Sequence, residues 1–379
     1  MTTRFVILLI LFFLHIKLYS QENFPVIFHG QASVWANINL DSEIPARAGV
    51  RYIPQLNLQF LEKGNHKIDF VLSANINGNT LLSLDSTEYS GNIKPYRIWL
   101  RYSTTQFEIR AGLQKINFGS AHMLRPLMWF DQMDPRDPLQ LTDGVWSILA
   151  RYYFVNNVNI WLWGLYGNEG PKAWEIGQTP PRSPEFGGRF QTPIPRGEAA
   201  ISFHYRESDI SDFGLFPQQS EITPENRLGI DARWDVEIGL WVESAWIHKS
   251  QNMGMFTHQK IFNVGADYTF SMGNGITATA EQLLYSMDEK ALQFDNINYL
   301  TALSLSYPAG IFDNISTILY YDWRQNNIYS FVNWQHQLDR LSFYLMAFWN
   351  PETFSLPQQN ETTQLFAGKG FQVMLVYNH

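Results

Sequence analysis

The chain contains no cysteine. A lipoprotein needs one to acylate, and a small secreted scaffold needs several to staple itself, so both classes are excluded. Also missing is any apolar run of the ~20 residues that a membrane-spanning helix requires. The longest such run, residues 5–14 (FVILLILFFL), follows Arg4 and precedes a polar step at Ser20-Gln21. Those flanks predict a secretory signal over residues 1–20, leaving 21–379 as one domain with no linker or composition shift to divide it. Catalytic signatures are absent too: no nucleophile elbow, no His-Glu-x-x-His, no phosphate loop and no dinucleotide fingerprint. No catalytic residue, metal or cofactor is therefore expected, and the chain does not read as an enzyme. A Ser-His-Asn group assembled from separate strands would leave no spacing signal and is the one hydrolase reading left open. Basic residues are outnumbered 27 to 35. Removing Arg4 and Lys17 with the signal leaves 25 against 35, a net charge of −10, which argues against nucleic acid as a partner.

What the chain does have is aromatics, 27 Phe, 18 Tyr and 13 Trp, and a rhythm of period two. In residues 227–235, Leu228, Ile230, Ala232 and Trp234 share one face while Arg227, Asp231, Arg233 and Asp235 share the other. Ile68, Phe70, Leu72, Ala74 and Ile76 oppose Lys67, Asp69, Ser73, Asn75 and Asn77, and Phe107, Ile109, Ala111 and Leu113 oppose Glu108, Arg110 and Gln114. Strand side chains alternate between faces, so one face meets lipid and the other water. Such segments fall at 26–38, 47–61, 66–77, 95–104, 106–115, 145–154, 157–166, 186–192, 197–206, 226–235, 237–248, 260–270, 275–286, 298–307, 311–321, 327–335, 340–350 and 365–378. Most approach the ~9–11 residues of a tilted spanning strand.

The connections alternate as well. Those after even-numbered segments are tight, such as 62–65, 193–196 and 271–274. Those after odd-numbered segments are mostly long: 78–94, 116–144, 167–185, 207–225, 249–259 and 351–364, with 322–326 a short exception. Short turns at one end and long loops at the other predict an all-β fold, a transmembrane antiparallel up-and-down β-barrel of about 18 strands. Sixteen remains open if 186–192 and 327–335 do not pair. An even count puts both termini on the short-turn side, the periplasm for a barrel in the cell outer membrane.

The chain ends on the alternating Phe371, Val373, Leu375 and Tyr377, like the last strand by which outer-membrane barrels engage the barrel-assembly machinery, although His379 stands where an aromatic residue is usual. Gly112-Leu113-Gln114-Lys115 running into Phe118-Gly119 is similar to the strand end before the third external loop of porins. In strand count and loop parity the chain resembles the Gram-negative outer-membrane porin superfamily, and within it the eighteen-stranded substrate-selective, alginate-export-like branch. An eighteen-stranded capsule-assembly barrel is a second resemblance. The porin resemblance implies passive, selective diffusion of small polar or anionic solutes. It also implies outer-membrane lipid and lipopolysaccharide as surroundings, and leaves a homo-oligomer open. The second implies a non-conducting barrel serving capsule or surface-matrix assembly or adhesion.

Two groups of residues are candidates for the function. In porins the third loop folds into the lumen; by that resemblance Arg125, Asp131, Asp134, Arg136 and Asp137 would line a constriction. The competing reading is an external cap held by its own ion pairs. Parity places Arg51, Lys67, Arg97, Arg101, Arg110, Arg151, Arg189, Arg206, Arg227 and Arg233 on the lumen face, against the fewer acids Asp69, Glu108, Glu198 and Asp231. Arginines on a confined wall favour anions, unless neighbouring carboxylates pair with them and brace the barrel. The later strands are expected to point mainly Asn, Ser, Thr and Tyr inward. Trp99, Tyr153, Trp161, Trp163 and Trp241 share the inner parity, where aromatics pack an interior more often than they guide a sugar.

Overall fold

The computed structural model describes residues 25–41, 46–83, 86–211, 222–352 and 365–379; the expected signal segment lies outside them. Eighteen strands run in chain order: β1 Val26–Asn39, β2 Ala46–Lys63, β3 His66–Leu82, β4 Thr87–Ser103, β5 Phe107–Gln114, β6 Val145–Tyr153, β7 Asn159–Leu165, β8 Glu185–Ile194 and β9 Gly197–Asp209. The second half comprises β10 Ile222–Asp235, β11 Gly239–Lys249, β12 His258–Phe270, β13 Ile276–Asp288, β14 Ile297–Pro308, β15 Asp313–Asp322, β16 Asn327–Gln337, β17 Leu341–Trp349 and β18 Lys369–Asn378. Each strand pairs antiparallel with the next, and β1 pairs with β18 from Gln31↔Asn378 to Asn39↔Gly370. The sheet is thus a closed transmembrane β-barrel, which satisfies every strand edge within the bilayer.

Both segments that left sixteen strands open are paired on two sides: β8 with β7 and β9, β16 with β15 and β17. Alternation decides which way each side chain points. Along β9, Ala200, Ser202, His204, Arg206 and Ser208 are buried inside, whereas Ile201 and Phe203 lie on the outer surface. The outer wall carries exposed Val50, Leu162, Phe186, Ile230, Phe262 and Leu375, the band that lipid covers. Both described chain ends stand at the short-turn end, where the C-terminal imidazole of His379 stacks between Tyr52 and Tyr377.

Two expectations need correcting. Residues 78–94, expected as a long connection, are mostly strand: β3 and β4 continue to Leu82 and from Thr87. Their outer face there alternates Gly78, Thr80 and Leu82 with Thr87, Tyr89, Gly91 and Ile93 opposite, too few large apolar residues to give a clear period-two signal. The later strands are not mainly polar inside. Ile247, Ile261, Leu283, Leu300, Ile318, Phe331, Met346 and Phe348 point inward, and with residues of the third loop they form one apolar cluster reaching from β6 round to β18. The hydrophobic core of this protein fills much of its lumen.

Candidate functional site

The third loop, residues 115–144, crosses the lumen. It leaves β5 at Gly112, whose φ of +124° only glycine holds easily and where a Cβ would lie 2.1 Å from the Ile98 carbonyl oxygen. Gln114, fully buried, anchors the departure by donating to the Arg110 and Ser147 carbonyls. Phe118 then packs against Trp129, Phe130, Trp161 and Trp163. On the far wall two carboxylates receive the loop's backbone. Glu243 of β11 accepts from the amides of Ser120 (2.8 Å), Ala121 (2.9 Å) and Leu127 (2.6 Å). Glu281 of β13 accepts from His122 (2.6 Å), Met123 (3.1 Å) and Leu124 (2.6 Å), while Asn263 of β12 donates to the Leu124 carbonyl. Backbone donors that extended loop geometry leaves unpaired are thereby satisfied without water. Gly229 of β10 makes room for the crossing: a Cβ there would sit 2.4 Å from Leu127.

The loop residues singled out from the sequence are distributed as follows. Arg125 is buried and pairs with Asp131 at 2.8 Å. Arg136 pairs with Asp134 at 2.6 Å and lies over the Phe366 ring. Asp137 accepts from the amides of Leu139 and Leu141, and burial raises its carboxyl above the usual range despite those bonds. Arg125 and Arg136 thus stabilise the loop's own fold, and Asp137 is turned toward Arg51.

The wall arginines fall into three groups. At the short-turn half, Arg101 grips Asp69 with two bonds of 2.9 and 2.8 Å, and Arg101, Arg110 and Arg151 share Glu108. Arg110 stacks on Trp99 and Arg151 on Trp161. Arg189 is forked onto Asp231 at 2.6 and 2.9 Å, and Arg233 reaches Asp235 and Asp267. Nearer the long-loop end, a dry ionic network joins Arg206, Arg227 and Lys249 to Glu225, with Glu175 of the fourth loop bonded to Arg227 at 2.8 Å and Lys172 near Glu175 and Glu185. His204 closes it: the Trp163 indole donates to Nδ1, so Nε2 carries the proton given to Glu185. Third, Arg47, Arg51 and Arg97 have no carboxylate within ion-pair distance among the described residues; Arg97 donates to the Tyr96 and Thr142 carbonyls. These three stand on β2 and β4, beside the inward Asn75, Asn77 and Asn79 of β3.

Sequence reasoning missed Glu243, Glu281, Glu175, Glu185 and Glu225 as parts of the site. A signal existed for Glu243: a single acid between Trp241 and Ala245 on an inward face that is otherwise apolar through Ile247. Glu175 offers none, because loop sequence does not disclose what a loop docks onto. Burial resists its ionisation, but Arg206, Lys172 and Arg227 outweigh burial and hold the carboxyl down at about 2 from an ordinary 4.5. A depressed carboxyl stabilises the fold above its unfolded value and stops doing so as protons bind. Glu175 should therefore contribute fully above pH 4.5 and progressively less toward pH 2. Urea unfolding between pH 2 and 6 should show a shallower acid limb for Glu175→Gln than for the parent; parallel curves would remove this account.

Two spaces flank the loop. A cavity of about 430 Å³ on the short-turn side is lined by Ser120, His122, Asp134, Glu198 and Arg233. Another of about 370 Å³ faces the long-loop end, with Lys94, Asp131, Asp143 and Lys172 on its walls.

No protein-family model matches this chain, and no curated protein does. Several solved structures share its fold. Pseudomonas aeruginosa OccK5 (OpdH) superposes with a TM-score of 0.53 at 11% identity, covering 93% of this chain and 97% of that one. Wzi of Escherichia coli, described as a carbohydrate-binding β-barrel involved in group 1 capsule assembly, gives 0.53 at 8%, over 92% and 83%. The outer membrane channel DcaP of Acinetobacter baumannii gives 0.50 at 10%, over 95% and 99%. At such identities the likeness is one of architecture, and the architecture is that of Gram-negative outer-membrane β-barrels.

Proposed function

We propose that this chain is an outer-membrane, porin-like channel for small polar or anionic solutes. In this reading residues 1–20 are removed on export, the barrel-assembly machinery inserts residues 21–379 among lipid and lipopolysaccharide, and both termini face the periplasm. It belongs with the eighteen-stranded substrate-selective, alginate-export-like porins, and homo-oligomers of the barrel are compatible with it. One observation carries the proposal. Among the described residues, the inward arginines with no carboxylate at ion-pair distance, Arg47, Arg51 and Arg97, all lie on β2 and β4, on the side of the lumen that the apolar cluster leaves polar. The path is then off-centre, bounded by that wall and by the third loop near Asp137 and Asp143. Unpaired guanidiniums bias it toward anions, because each keeps its charge for the solute.

Reversal potentials in planar bilayers under a salt gradient test this. A unit charge ~8 Å from a permeant ion in a water-like medium is worth about 0.5 kcal/mol. The charge acts with opposite sign on anion and cation, and salt at ~0.15 M screens each effect about threefold at this distance. Each of Arg47→Gln, Arg51→Gln and Arg97→Gln should thus lower the anion-to-cation permeability ratio roughly twofold, and the triple variant on the order of tenfold. A ratio indifferent to all three would end the arginine assignment, and an absence of conductance would end the channel. The second reading, a closed barrel for capsule or matrix assembly or adhesion, is favoured by the continuous apolar cluster within the lumen. It predicts no swelling of liposomes in any sugar, where a channel predicts swelling that declines with sugar size.

A further inference from the structure

The barrel wall is not level at its long-loop rim. β4 pairs with β3 along its whole length, from Leu82↔Thr87 to Lys67↔Ser103, but with β5 only from Ile98 to Ser103. Above Ile98, therefore, the wall made by β18, β1, β2, β3 and β4 continues upward and ends at β4, whose β5-facing edge is unpaired among the described residues. No hydrogen bond reaches the β5-facing side of Thr87–Lys94 from elsewhere in the described chain. Thr87 to Ile93 are exposed throughout, Tyr89 at 80% and Ile93 at 73%. Pro95, which has no N–H to give, stands at the foot of this edge. An edge of unpaired N–H and C=O groups is a template for another strand, and natural sheets usually cover or blunt one of this length.

The edge reads Glu88-Tyr89-Ser90-Gly91-Asn92-Ile93-Lys94. Folded about Gly91 it is complementary to itself. In antiparallel pairing with a second copy, Gly91 faces Gly91, Ser90 faces Asn92, Tyr89 faces Ile93, and Glu88 faces Lys94. These are a small-residue centre, a polar pair, an aromatic against a β-branched residue, and opposite charges, each of a kind that stabilises cross-strand pairs. Glu88 has no ion-pair partner among the described residues, whereas Lys94 already reaches Asp143 at 2.6 Å, from a position where both side chains remain open to solvent.

We infer that Glu88–Lys94 of β4 is a homotypic docking edge, occupied by the same segment of a second copy. The symmetry fixes the arrangement. Antiparallel pairing places a two-fold axis along the sheet normal at Gly91, and that rotation reverses the barrel axis. Two barrels joined this way point at each other, loop end to loop end, and sit in apposed membranes. A contact of seven residues a side is smaller than a stable standard interface, so a single pair is weak and adhesion arises from many pairs between two surfaces.

Because the chain has no cysteine, one introduced thiol reports on register. A Cβ at Gly91 would meet only the Asn77 carbonyl oxygen, at 3.4 Å, so Gly91→Cys is sterically mild. In the proposed pair the two residue-91 positions are directly opposed, at a separation a disulfide spans. Thr87 would oppose Pro95, and its two copies would stand about 26 Å apart, eight residues at ~3.3 Å each. Purified protein is reconstituted into lipid vesicles and oxidised with copper-phenanthroline. Expected are vesicle clustering and interchain disulfides at Gly91→Cys at least tenfold more abundant than at Thr87→Cys. Clustering, read by turbidity on cysteine-free protein, should fall with Glu88→Lys and return with Glu88→Lys combined with Lys94→Glu. Equal cross-linking at the two positions, unclustered vesicles, or clustering insensitive to Glu88→Lys would each overturn the inference. None of these readouts depends on conductance, so the channel proposal stands or falls separately.

Discussion

Glu281→Ala should loosen the third loop and, with Glu243→Ala, detach it from the far wall. Glu281 accepts from three consecutive amides, His122, Met123 and Leu124, and Glu243 from three more. Removing one carboxylate strands three backbone donors, two of them buried, Met123 and Leu124 for Glu281 or Ala121 and Leu127 for Glu243. Each stranded donor costs about 1–3 kcal/mol, so a single substitution should cost about 3–5 kcal/mol once the loop relaxes. Glu281→Gln keeps one carbonyl acceptor but turns an amide group toward the remaining donors, and should fall between parent and alanine variant. On the channel proposal, the double variant should also show a severalfold rise in single-channel conductance, because the loop crosses the lumen. Urea-unfolding midpoints and planar-bilayer recordings provide the check. An unchanged midpoint together with unchanged conductance would mean that the two carboxylates do not hold the loop.

The second large effect is expected at Glu225. Its carboxylate meets Arg206 at 2.7 Å, Arg227 at 2.7 Å and Lys249, all with side chains essentially sealed from solvent. Glu225→Ala leaves Arg206 and Arg227 sharing Glu175 and leaves Lys249 with no carboxylate in ion-pair range among the described residues, and uncompensated buried charge typically costs about 3–5 kcal/mol. Removing charge from both sides is gentler: Glu225→Leu combined with Arg206→Met should cost less than the sum of the two single changes. An exposed pair supplies the contrast. Lys94→Ala breaks the Asp143 contact in the open and should cost under about 1 kcal/mol. A double-mutant cycle by urea denaturation in detergent separates these cases, and strict additivity of Glu225→Leu and Arg206→Met would contradict the network.

These expectations depend on different levels of information. The barrel itself was legible because each spanning strand obeys a local rule. Leu228, Ile230 and Trp234 must meet lipid, so Arg227, Asp231 and Arg233 turn inward. The same parity identified Arg101, Arg110, Arg151 and Arg189 as inward, since register within a strand follows from period two alone. Where the physical demand lapsed, so did the signal. Residues 78–82 and 87–94 carry only Leu82, Tyr89 and Ile93 as large apolar residues on their outer face, and read as loop although they are strand. Inward positions of the strands after β10 were expected from parity to be mainly Asn, Ser, Thr and Tyr. The third loop covers them, and apolar residues such as Phe331 and Met346 are what a dry contact requires.

The sequence by itself determined the sheet, the even strand number, the end at which the long loops gather and, for strands with a clear period of two such as β5 and β10, the face on which the side chains stand. Those properties arise from neighbours one or two residues apart and from a solvent that differs on the two sides of the wall. Only the tertiary structure decided which arginines remain unpaired. Arg101 meets Asp69 from 32 positions away, Arg227 meets Glu175 from 52, and the third loop is fastened by Glu243 and Glu281 from more than 110. Closing the barrel and folding the loop across it brings those groups together, whereas Asp137 and Asp143 of the third loop face Arg51 and Arg97 without coming within ion-pair distance of them among the described residues.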